Sequence, residues 1–106
     1  MPDIENDDER LLPSRHVRAI ITSQGGAILD LRPRRGRWYT LTSTACFWWQ
    51  CIQDGRTTGE ASRAVAGKYE IPAQQAAADL APFQAEMLRK RLLMPASRRR
   101  TARQRH

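Results

Sequence analysis

Two turn signals set close together confine what this chain can fold into. Ser23-Gln24-Gly25-Gly26 and Arg32-Pro33-Arg34-Arg35-Gly36 separate three short runs of strand-favouring residues, 17–22 (VRAIIT), 27–31 (AILDL) and 37–41 (RWYTL). Both turns hold glycine, available for positive φ, and Pro33 suits the second. Loops this short cannot carry the crossover that parallel strands need, so the runs read as an antiparallel meander. In the last run Trp38, Tyr39 and Thr40 fit a pleated surface. Alternation sets Tyr39 and Leu41 on one face and Trp38 and Thr40 on the other.

From residue 42 the period changes. Thr42-Ser43-Thr44 supplies N-cap candidates for a helix running to about Gln53. Its apolar face is Ala45, Trp48, Trp49 and Ile52, spaced i, i+3, i+4, i+7, and the two tryptophans read as core. Asp54-Gly55 stops it. Thr57 with Glu60 is a capping box that opens a second helix to about Tyr69, with Ala61, Ala64, Val65 and Tyr69 inward. Pro72 fits the first position of a third helix reaching about Leu93, with Leu80, Phe83, Met87 and Leu92 inward. Pro82 falls inside that helix, where proline costs about 3 kcal/mol, and predicts a kink or a restart. Strands followed by helices give an α+β fold: a three-stranded antiparallel sheet and then three helices on one of its faces, winged-helix-like. Nothing in the sequence covers the outer edge of 37–41, and an open edge is a template for another strand.

A chain of 106 residues makes one domain. The net charge of +7 is unevenly placed. Residues 1–16 carry Asp3, Glu5, Asp7, Asp8 and Glu9 against Arg10 and Arg15, and read as a disordered acidic arm. Residues 94–106 carry Arg98, Arg99, Arg100, Arg103 and Arg105 with no acid, and read as a disordered basic tail suited to nucleic acid, an acidic protein surface or simple solubility. The folded domain is expected over 17–93. Cys46 and Cys51 fall on different sides of one helix and read as small buried apolar residues. With no signal peptide a cytoplasmic location is expected, and no apolar run approaches the roughly 20 residues of a membrane span.

No enzyme is legible. The two histidines, His16 and His106, fall in or beside the arms, and no Ser/His/Asp or Cys/His set can be assembled. No metal or cofactor is expected. Two binding modes compete. A basic winged helix could hold DNA, but the second helix offers only Arg63 and Lys68 at exposed positions. The third offers Gln74 and Gln75 at its start and Arg89, Lys90 and Arg91 at its end, where they complement the helix dipole. The alternative is capture of a peptide that adds a strand to 37–41.

The order of Leu41, Thr44-Ala45-Cys46, Trp48-Trp49, Ile52, Gly55, Thr57, Tyr69, Asp79-Leu80, Phe83 and Met87 resembles the PqqD-like family over about residues 17–93. There a strand ending in Leu-Asn runs into Thr-Gly-Ala-x-Ile-Trp-x-x-Leu and Gly-x-Thr, and later into Asp-Val-x-x-Phe-Leu-x-x-Leu. Here Thr42 stands for Asn, Ala45 for Gly, Trp48 for Ile and Gln84 for Leu, and Pro82 is unusual. Leu29-Asp30-Leu31 before an Arg-rich turn, with Trp38-Tyr39, is similar to the stand-alone members that serve lasso-peptide synthesis. The resemblance implies a non-catalytic recognition element for the leader segment of a ribosomally made precursor peptide. The leader would lie beside the third strand, on the backbone of Arg37, Trp38, Tyr39, Thr40 and Leu41. Ala76, Asp79, Leu80, Phe83, Glu86, Met87 and Lys90 would form the helix wall. It further implies two partner enzymes, a leader peptidase of transglutaminase-like fold and an ATP-dependent cyclase.

Overall fold

A computed structural model describes residues 9–34 and 37–96. The elements are β1 (Leu11–Pro13), β2 (Val17–Thr22), β3 (Gly25–Asp30), β4 (Arg37–Leu41), α1 (Ser43–Gln53), α2 (Thr58–Tyr69), α3 (Ala73–Arg89) and β5 (Leu93–Pro95). The α+β class holds: an antiparallel sheet in the order β2-β3-β4 is followed by three helices.

The first hairpin is tighter than expected. Its loop is Ser23-Gln24 alone, and both glycines belong to β3. Only Gly25 takes a positive φ, +137°, and a Cβ there would sit 2.7 Å from the Leu41 carbonyl oxygen. At Gly26 a Cβ would fall on the Ile20 carbonyl oxygen and lie 2.9 Å from Cys46 Sγ. Glycine is therefore needed at position 26 for close approach of strand, strand and helix, rather than for turn conformation. The rest of the ladder aligns Ala19, Ile28 and Tyr39 across the three strands. Ile28 and Leu41 are buried on that face, with Ala19, Ile21 and Tyr39 packed around them.

Helix α1 is capped by Thr42, whose side chain accepts from the Ala45 N–H at 3.1 Å. Ala45, Trp48, Trp49 and Ile52 are buried as their spacing requires, and Cys46 and Cys51 join them as free thiols. Burial pushes both thiols up from their ordinary pKa. Trp48 meets Phe83 of α3 edge-on at 5.6 Å. Helix α2 begins with the expected capping box: Thr57 Oγ1 accepts from the Glu60 N–H, and Glu60 Oε1 accepts from the Thr57 N–H.

Helix α3 differs from expectation at both ends. Pro72 occupies the N-cap rather than the first turn. The helix stops at Arg89, not near residue 93. Lys90 is the C-cap and Arg91 turns left-handed at φ +61°. The Leu92 N–H then reaches the Met87 carbonyl and the Arg91 N–H the Leu88 carbonyl, which is the Schellman pattern. The helix runs through Pro82 without a restart. Proline has no N–H for the Ala78 carbonyl.

The freed segment becomes β5, and it corrects the expected arms. Leu11, Leu12 and Pro13 pair with Pro95, Met94 and Leu93. Leu11, Leu92 and Leu93 are almost wholly buried. Ser14 seals the junction: its N–H donates to Leu92 O and its hydroxyl to Arg91 O at 2.6 Å. Thus residues 9–16 and 94–96, expected within disordered arms, are part of the fold. Each is a three-residue strand whose pairing partner lies at the far end of the chain. His16 is correspondingly inside the fold. Residues 1–8 and 97–106 lie outside the described residues.

Candidate functional site

The edge strand β4 and helix α3 face each other across an open cleft of about 490 Å³. Trp38, Tyr39, Thr40 and Leu41 line one side, and Pro82, Phe83, Glu86 and Met87 the other. Antiparallel ladders alternate, so one bond fixes which backbone groups face where. The Leu31 N–H donates to the His16 carbonyl at 2.8 Å. In phase with it Arg18, Ile20 and Thr22 face β3, and Leu29, Ala27 and Gly25 answer them. Gly26, Ile28 and Asp30 then face β4, and pair with Leu41, Tyr39 and Arg37. Trp38 and Thr40 are left with N–H and C=O directed away from the sheet, along the mouth of the cleft.

Side chains close the walls. Lys90 Nζ stands 5.2 Å over the Tyr39 ring and 3.7 Å from Glu86 Oε2, so one cation links strand and helix. Arg89 also reaches Glu86, at 3.4 Å. Behind them Asp30, almost wholly buried, takes a forked ion pair from Arg32, with the shortest contact 2.6 Å. Arg32 passes a further hydrogen bond to the Lys90 carbonyl at 3.0 Å. The end of β3 is thereby fastened to the end of α3. The Arg32 hydrogen bonds hold the Asp30 carboxyl at about 2, against its burial.

Of the residues expected on the helix wall, Phe83, Glu86 and Met87 reach the cleft, and Lys90 closes one end of it. Ala76 and Leu80 do not: both are buried in the core beneath. Asp79 is exposed a turn earlier, beyond the lining. Arg37 is exposed at the start of the strand, opposite Asp30. The residue missed was Pro82, which lines the cleft four positions before Glu86, on the same helix face. That spacing was the available signal. Among the described residues, no group of three or more His, Cys, Asp and Glu side chains could hold a metal ion, and no helix is long and apolar enough to cross a membrane.

The arrangement can accept an extended chain: outward backbone groups at a strand edge, an apolar floor from Leu41, Phe83 and Met87, and Glu86 and Lys90 at the rim. Comparison with known proteins agrees in shape. The family described as "Coenzyme PQQ synthesis protein D (PqqD)" matches residues 27–93. A solved structure titled "TbiB1 in Complex with the TbiA(beta) Leader Peptide" superposes with a TM-score of 0.67 at 21% identity, covering 76% of this chain and 92% of that one. Another, "Lasso peptide synthetase B1 complexed with the leader peptide", gives 0.67 at 23% identity, covering 83% and 99%. These two likenesses establish the fold. No curated protein matches the sequence.

Proposed function

The chain belongs to the PqqD family, and from that premise we propose that it is a non-catalytic adaptor that binds the leader segment of a ribosomally made precursor, of the lasso-peptide kind. The observation that carries this reading is the β4 edge, unpaired among the described residues, with the outward N–H and C=O groups of Trp38 and Thr40 set opposite Phe83 and Met87. Both similar solved structures are described as complexes with a leader peptide. The leader adds a strand along Arg37–Leu41 and drops alternate side chains toward Pro82, Phe83 and Met87. Glu86 and Lys90 select its charges. Four backbone hydrogen bonds at about 0.5–1.5 kcal/mol each, with one or two apolar anchors, reach the roughly 8 kcal/mol of micromolar binding. The adaptor then presents the leader to a separate peptidase, and the ATP-dependent cyclase acts on the freed core.

The test is an anisotropy titration of the fluorescein-labelled leader from the precursor encoded beside this gene, with a scrambled leader as control. Saturable binding of the true leader alone is expected. Equal binding of both, or of neither, sinks the adaptor reading and moves weight to the basic surfaces, with duplex DNA as the next ligand.

A further inference from the structure

The sheet has a second surface, which meets the cleft only at Trp38 and Thr40. Among the described residues, the large apolar side chains that are mainly exposed are Ile20, Leu31 and Trp38, at 54%, 55% and 66%. Singly such residues need no explanation, but these three share one face. The register sets Arg18, Leu29 and Trp38 in one row and Ile20, Ala27 and Thr40 in the next, all on the side away from the helices. Leu31 continues the alternation past Asp30. None of the outward positions on β2, β3 or β4 is acidic. Arg18 lies in the patch, and Arg34 stands exposed at the end of the sheet where β3 leads into β4.

Building on the leader-binding reading, we propose that this outer sheet face is the docking surface for the enzyme that cleaves the leader, which meets it with an apolar patch rimmed by carboxylates. Three observations favour that occupant. The centre is Trp, Leu and Ile with arginine at the rim, the make-up of a protein-binding hot spot, whereas duplex DNA would use the arginines and gain little from the apolar centre. A second copy of this chain would bring Arg18 and Arg34 against their own kind. The face is also continuous with the β4 edge. A strand added there extends the same sheet, and its outward side chains lie beside Trp38 and Thr40. A protein seated on the outer face therefore touches sheet and bound peptide together, and binds the loaded adaptor more tightly than the empty one.

The experiment uses the full chain, the labelled leader and the co-encoded leader-cleaving enzyme. The variants are Arg18→Glu and Ile20→Thr on β2, the strand farthest from the leader edge; threonine keeps β-branching and the strand. Leader affinity by anisotropy is expected within about twofold of wild type, while affinity of the enzyme for the leader-loaded adaptor, by calorimetry, falls about tenfold for Arg18→Glu and less for Ile20→Thr. The wild-type complex should weaken with salt. Unchanged enzyme affinity in both folded variants, with leader binding intact, overturns the proposal. Duplex DNA binding that Arg18→Glu abolishes without affecting the enzyme assigns the face to nucleic acid and overturns it as well. Absence of leader binding by wild type is a separate failure, of the cleft reading itself.

Discussion

The chain treats its extended segments in two ways. At β1 and β5, two three-residue strands find each other across the whole sequence and bury Leu11 and Leu93 almost completely. At β4, a five-residue strand pairs with β3 alone among the described residues, and the backbone groups of Trp38 and Thr40 face away from the sheet. β5 follows the C-terminal turn of α3, and β4 faces the same helix across the cleft. Unpaired edges invite association, and folds usually protect them. On the proposed reading, a chain that closes so short a pair and leaves the outer edge of the longer strand unpaired separates what holds the fold from what takes a peptide.

That division can be broken from either side. The largest effect is expected at the closed pair. Leu11→Ala should cost about 2–4 kcal/mol of stability, read by urea denaturation, with leader affinity unchanged in the folded protein. A large loss of affinity alongside full stability would show that β1 shapes the cleft directly.

Next comes acid. Asp30 is held at about 2 by Arg32, below the unfolded value near 3.9. Its contribution, about 2–3 kcal/mol, is present in full above about pH 5 and is lost as pH falls toward the folded value. Denaturation midpoints at pH 7, 4 and 2.5 should show this loss, and Asp30→Asn should flatten that part of the curve. A variant as acid-sensitive as wild type would place the effect elsewhere.

A smaller stability change with a larger binding change is expected at the open edge. Thr40→Pro removes an outward donor and should leave stability within about 1 kcal/mol while weakening leader binding about tenfold. Equal affinity in a folded variant would remove the strand-addition geometry. The smallest effect belongs to the basic tail: a chain ending at Ala96 keeps β5 and should retain both stability and leader affinity. Loss of affinity there would mean that the arginines beyond residue 96 touch the leader.

Most of the fold was legible because its signals are local. Turn residues bracket β2, β3 and β4. The Thr57–Glu60 box marks the start of α2, and the spacing of Ala45, Trp48, Trp49 and Ile52 fixes the buried face of α1. What escaped is non-local or atypical. Leu11–Pro13 is too short to read as a strand until Leu93–Pro95 is beside it. The end of α3 was overrun because its left-handed stop is Arg91, where glycine would have announced it. On the cleft wall Trp38, Tyr39, Thr40 and Leu41 followed from the open strand edge, whereas a helix face shifts by 100° per residue. Ala76 and Leu80 therefore went to the core and Pro82 to the opening.

The β1–β5 pair has one more consequence. The Ala96 N–H donates to the Arg10 carbonyl at 2.9 Å, so the chain enters and leaves the fold through adjacent strands. A domain with neighbouring leads is a cassette. It can be spliced into a surface loop of an enzyme, or closed head to tail by a short linker, at little loop-closure cost. A tethered or cyclised adaptor of this kind would carry the same cleft on a different chassis.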